Sequence, residues 1–248
     1  VSSKAGRKFV EARLERRIRQ QVLESALADP KKLATSVYDR ARLLVPGIVL
    51  RSLGLGRTAA EMVGLVIARA RVEQAFPANV GPHGFQSWLS LDEHPEWSGG
   101  HKKTRADLAR LCGWMEGNEL HLAVDVVEAK MRTQFPLGRA EAQLKRSIEL
   151  LSSALGVDDD EGTVYVELWR RLLWRAIEQT STATDGTPAA THVLKNDERR
   201  SGLDDVLATA LRQGNLVVEP VRGILVSLTD GDDGSDSTTP AGHRWLRM

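Results

Sequence analysis

Leu122-Ala123-Val124-Asp125-Val126-Val127-Glu128-Ala129-Lys130 is an apolar run that closes on two charges. Its valine content marks it as a strand. Side chains alternate between faces along a strand, so Glu128 and Lys130 share a face with Leu120, Leu122, Val124 and Val126. An apolar face has no structural use for a carboxylate and an ammonium together unless something at its end holds them, and a metal ion is one such thing.

Glu116-Gly117-Asn118-Glu119 separates this run from an earlier one, and Gly-Asn between apolar runs signals a hairpin. Arg105–Met115 and Glu119–Met131 are then its two strands. A two-residue loop at Gly117-Asn118 sets Glu116 opposite Glu119, so that the numbers of paired residues sum to 235. Asp107 falls opposite Glu128, on the same face. Arg110 falls opposite Asp125 on the other face, where a cross-strand ion pair accounts for both. The expectation depends on loop length, because a one-residue slip exchanges the faces. The plain alternative is that Glu128 and Lys130 end a strand at solvent and Asp107 begins another.

Before the hairpin, Val10, Leu14, Ile18 and Val22 recur every four residues and predict a helix over 4–28. Asp29-Pro30 breaks it, and Pro30 suits the first turn of a second helix to about Leu44. A third helix is expected over about Thr58–Ala75, with Thr58 as N-cap and Glu61 as its capping-box partner. Glu61 thus has a purely structural reading beside any chemical one. Residues 77–103 read as loop with one short strand at Gln86–Leu91. His83, His94 and His101 lie there without zinc-ligand spacing.

After the hairpin, Pro136-Leu137-Gly138 opens a helix to about Leu155, with Leu144, Ile148, Leu151 and Leu155 as its buried stripe and Gln143 and Ser147 beside it. A further helix is expected at Thr163–Thr180, where Trp169 and Trp174 suit a core or interface better than a base-stacking platform. Residues 181–199 read as a mobile linker. Leu203–Arg212 is expected to be a short helix. Leu216–Glu219 and Gly223–Leu228 look like strands of a small β unit, and Asp230–Pro240 like a looped insertion.

The chain has 248 residues, of which 42% are hydrophobic, enough for one sizeable domain with appendages. The formal net charge is only +1, but residues 1–50 carry eleven Lys/Arg against five Asp/Glu. That opening is either a solvated helical hairpin or a phosphate-facing arm. Acidic runs such as Asp158-Asp159-Asp160-Glu161 offset it. The single cysteine, Cys112, excludes an internal disulfide and any Cys-rich zinc site and fits a reducing cytoplasm. No apolar run approaches the ~18 residues of a membrane span, and no secretory signal is visible. A chain that starts at Val1 and has strands near Met248 reads as a module of a longer protein.

Hydrolysis of a phosphodiester needs a cation to neutralise the phosphate and activate water, and a positive group near the developing charge. Asp107 and Glu128 supply two carboxylates, the carbonyl of Ala129 a third oxygen, and Lys130 the positive group. The following helix brings Gln143. Asp107, twenty intervening residues, Glu128-Ala129-Lys130 and an amphipathic helix together resemble the PD-(D/E)XK nuclease superfamily, over about residues 57–156. Gln143-Leu144 looks like the RecB-like and restriction-enzyme branch. Arg105-Ala106-Asp107-Leu108 and Val127–Arg132 are similar to nuclease modules of large bacterial DNA-defence proteins, some of which precede an ATPase, as in phosphorothioation-dependent restriction. No proline precedes Asp107; Ala106 stands there, as in many members.

The resemblance implies a restriction endonuclease-like α/β core, with a central mixed sheet of about four or five strands flanked by helices. Around it are expected an N-terminal helical extension (1–50), the core proper (51–180), the linker (181–199) and a C-terminal helix plus small β appendage (200–248). Asp107, Glu128 and the Ala129 carbonyl would bind Mg²⁺, with Mn²⁺ as a substitute. Lys130 would orient water and stabilise charge. Glu61 would act through a water or as a third acidic ligand, Gln143 would position Lys130 or the phosphate, and Arg132 would contact DNA backbone. The implied activity is that of a DNA endonuclease leaving 5′-phosphates, with DNA and an ATPase or other defence subunits as partners. The rival reading is a catalytically inactive nucleic-acid-binding or assembly module on the same fold.

Overall fold

The computed structural model describes residues 4–21, 30–44, 57–78, 85–92, 105–117, 119–130, 135–155, 181–182, 216–227 and 236–247. Four helices and eight strands lie within them. The helices are α1 (Lys4–Gln21), α2 (Pro30–Leu44), α3 (Arg57–Ala75) and α4 (Leu137–Leu155). The strands are β1 (Phe85–Ser90), β2 (Leu108–Glu116), β3 (Glu119–Lys130), β4 (Ser181–Thr182), β5 (Leu216–Val218), β6 (Arg222–Ser227), β7 (Ser237–Thr238) and β8 (Arg244–Arg247). None of these helices is long and apolar enough to cross a membrane.

The hairpin has the register read from its turn. Glu116 pairs with Glu119, Arg110 with Asp125 and Leu108 with Val127, so each pair sums to 235. Gly117 takes φ +61°, a conformation that costs glycine little and that suits the tight turn. Arg110 Nε and Nη2 donate to Asp125 Oδ2 at 2.8 and 2.5 Å, in an ion pair with side chains 3% and 5% exposed. Arg222 is a second arginine on Asp125, its Nε donating to Oδ1 at 2.6 Å.

One mixed sheet carries all eight strands, in the order β4-β1-β2-β3-β6-β8-β7, with β5 also paired to β3. β1, β2 and β3 form an antiparallel meander. β6 runs parallel to β3, and β8 parallel to β6. The strands expected to form a C-terminal appendage are therefore continuations of the central sheet, which exceeds the four or five strands expected. Ser181–Thr182, placed in the linker by composition, extends the edge at β1. Both departures have one cause. Parallel and edge pairings join segments far apart in sequence and leave no turn residue to mark them.

A core lies on each face. On one, Val66, Ala68 and Val72 of α3 meet Trp88, Leu108 and Val127, and Val10, Leu14, Val37 and Tyr38 of α1 and α2 complete the cluster. The N-terminal helices thus share the main core. On the other face, Ala140, Leu144, Leu151 and Leu155 of α4 cover Val124, Val126 and Leu225. Gly223 lets α4 sit close to β6, since a methyl group there would lie 3.0 Å from Ile148 Cδ1 and 2.5 Å from His243 Nδ1.

The basic opening is partly neutralised within itself. Arg7 pairs with Glu11 at 2.8 Å and Asp39 at 3.0 Å, and Arg19 with Glu15 at 2.9 Å. α3 begins at Arg57, which puts Thr58 inside the first turn rather than at the cap. The helices expected at 163–180 and 203–212, residues 183–199, and His83, His94, His101, Trp169 and Trp174 lie outside the described residues.

Candidate active site

The hairpin register brings Asp107 to Glu128. Asp107 stands one residue before β2, and its backbone is held from both sides. Its N–H donates to Val127 O and its carbonyl accepts from Leu91 N–H, each at 3.1 Å. Its carboxylate Oδ2 accepts the Ala129 N–H at 2.8 Å, and so lies across the link between Glu128 and Lys130. In an extended residue the N–H and C=O leave by the same edge of the strand. The Ala129 carbonyl therefore points to the Asp107 side.

Glu128 continues the alternation of Val124 and Val126, so it faces α4 and has no exposed surface. Its Oε1 accepts from Lys130 Nζ. Its Oε2 is buried without a hydrogen-bond partner. Burial, and then the negative charge of Asp107, push the Glu128 carboxyl up to about 8, while Lys130 and the Asp107 backbone act the other way. A buried carboxylate oxygen without a donor is costly. Two carboxylates converging on a site that holds one unsatisfied oxygen fit a bound cation, which answers both.

Lys130 is 24% exposed and reaches α4 as well, donating to Gln143 Oε1 at 3.3 Å. Gln143 Nε2 donates to the Arg105 carbonyl at 2.7 Å. Lysine can only donate and a carbonyl can only accept, so these two contacts fix which way the amide points. One turn on, Ser147 Oγ accepts the Ala106 N–H at 2.9 Å. α4 thus grips the two residues before Asp107 with two side chains, Gln143 on Arg105 and Ser147 on Ala106, and Gln143 also holds Lys130. Arg105 itself is buried, donating to Leu91 O at 3.3 Å and pairing with Asp92 at 3.3 Å.

The structure brings together Asp107, Glu128, Ala129, Lys130 and Gln143. Glu61 lies on α3, which packs on the opposite face of the sheet; its side chain, like Arg132, lies outside the described residues. Among the described residues no group of three or more His, Cys, Asp or Glu is placed to hold a metal. Among the described residues, the oxygens that converge here are the Asp107 and Glu128 carboxylates and the Ala129 carbonyl.

The sequence reading missed the backbone that Gln143 and Ser147 anchor, since no local pattern links α4 to residues 105 and 106. It also missed the neighbours on β6 and β8. In the parallel register Lys130 stands beside Ser227, and Ser227 beside Arg247.

No family model, curated protein or solved structure matches this chain.

Proposed function

We propose that this chain is a metal-dependent deoxyribonuclease module of the PD-(D/E)XK type, with a restriction endonuclease-like core, acting within a bacterial DNA-defence assembly. The observation that carries the reading is the clasp of Asp107 on the Ala129 amide, beside a fully buried Glu128 that has one oxygen unsatisfied. A mixed sheet with α3 before the meander and α4 after it supports the fold assignment.

Asp107, Glu128 and the Ala129 carbonyl would hold Mg²⁺ or Mn²⁺. Such an ion supplies neutralisation of phosphate charge and a more acidic water. Lys130 brings a compact positive charge to the same place, where it orients water and stabilises charge on the phosphate. Gln143 positions Lys130, because its amide is tied to the Arg105 carbonyl.

Incubation with plasmid DNA and Mg²⁺ or Mn²⁺ tests this. Wild type should cleave, and Asp107→Ala and Lys130→Ala should each lower the rate on the order of a hundredfold or more. Cleavage that survives in both variants removes the reading. The second reading, an inactive nucleic-acid-binding or assembly module, is favoured by the absence of a third ligating side chain among the described residues. It requires DNA binding with a steep salt dependence that Asp107→Ala and Glu128→Ala leave unchanged, and no cleavage.

A further inference from the structure

We infer that Arg139 is a second phosphate-gripping residue, holding the DNA backbone beside the phosphate that meets Lys130. The inference deepens the nuclease reading above and rests on it.

The contacts of two side chains fix how α4 runs over the site. Ser147 Oγ accepts the Ala106 N–H at 2.9 Å. One turn nearer the helix start, Gln143 donates to the Arg105 carbonyl at 2.7 Å and accepts from Lys130 Nζ at 3.3 Å. The step from Ala106 to Arg105 leads away from β2, and Lys130 is the last residue of β3. The start of α4 therefore lies past the strand ends, beside the site. Arg139 is one further turn in that direction. It stands four residues before Gln143 on the same flank of the helix, with Cα atoms roughly 6 Å apart. Helix side chains lean toward the N-terminus, so the guanidinium reaches outward from there. β3 and β6 run parallel and end together here, and ligands of open α/β sheets bind beyond the carboxyl ends of such strands.

Arg139 is exposed, and among the described residues its side chain meets no partner. A guanidinium with an open edge takes a phosphate in a fork. The first turn of α4 contains no acid. A cation there gains nothing from the helix dipole, which favours acids at that end, so the helix has no use of its own for it. The other basic side chains of α4 are placed differently. Arg146 is two turns further from the helix start and pairs with Glu149 at 3.9 Å. Lys145 is exposed too, but it stands about 200° round the helix from Gln143. It shares its flank with Glu141, which accepts the Ala241 N–H at 3.0 Å on the far side from Asp107. The plain alternative is that Arg139 is a solvated surface charge.

Binding to a short fluorescent DNA duplex without divalent cation, across a salt series, separates the two. Arg139→Gln should weaken binding on the order of tenfold and lower the salt slope by about one, whereas Arg139→Lys keeps the slope. Lys145→Gln removes an equally exposed charge from the other flank and should leave the slope as it is. In cleavage assays Arg139→Gln should raise KM more than it lowers kcat. Three outcomes in an enzyme that cleaves overturn the inference and leave the nuclease reading standing. They are unchanged binding by Arg139→Gln, weaker binding with an unchanged slope, and an equal loss of slope in Lys145→Gln. A wild-type protein that neither binds nor cleaves DNA removes the nuclease reading, and this inference with it.

Discussion

Glu128 and Asp125 are both carboxylates buried in β3, three residues apart, and their surroundings are opposite. Asp125 meets two arginines, whereas Glu128 meets one lysine and a second carboxylate. Glu128 loses its proton near 4.5 in an unfolded chain and near 8 in the fold. Between those values the folded state binds more protons, so stability falls as pH rises; the contribution is complete below about 4.5 and gone above about 8. Glu128→Gln keeps the shape and removes the ionisation. In EDTA, at a pH above the folded value, the variant should be more stable than wild type by on the order of a few kcal/mol. Urea midpoints across the pH series measure this, and parallel curves for the two proteins would refute it. Asp125→Ala acts in the other direction, since it strands Arg110, whose side chain is 3% exposed. A loss of about 3–5 kcal/mol is expected in the same measurement. Arg222→Ala removes a partner whose side chain is 44% exposed, and should cost less than about 1 kcal/mol.

Among the elements, those with local signals were legible and those without were not. Gly117-Asn118 gave the β2–β3 turn, and from the turn came the Arg110–Asp125 pair and the meeting of Asp107 with Glu128, because register propagates along a hairpin. Pro30 marked the start of α2, and the spacing of Leu144, Leu151 and Leu155 gave the buried stripe of α4. β6 and β8 read as a separate unit because each is short and its partner lies far away; Arg222 is 97 residues from the Asp125 it meets. The β3 residues of the candidate site were therefore readable, while their neighbours Ser227 and Arg247 on β6 and β8 were not. Gly223 shows the same limit. In sequence it only opens a strand, yet in the fold Ile148 of α4 and His243 sit directly against it. Gly223→Ala should cost about 1–3 kcal/mol through overpacking, read from chemical denaturation. A variant as stable as wild type would mean that His243 and Ile148 give way freely.

At the level of the molecule, β6 is a central strand, and Ile224, Leu225 and Val226 have no exposed surface. A chain ending at residue 215 should therefore lose its cooperative thermal transition, with no stable remnant of reduced size. A sharp unfolding transition in that chain would restore the idea of a removable appendage. The two pairings of β3 also belong to different moments of folding. The hairpin with β2 closes through a tight turn, at little cost in chain entropy. The pairing with β6 must close a span of 97 residues, whose length-dependent part costs roughly 4 kcal/mol before any contact repays it. β3 is thus first a hairpin strand and later a template. In stopped-flow experiments Val124→Ala should mainly slow refolding, and Ile224→Ala should mainly speed unfolding. Until β5 and β6 dock, one whole edge of β3 offers its amides and carbonyls to any extended chain that arrives first, so the nascent protein is most open to mispairing in that interval.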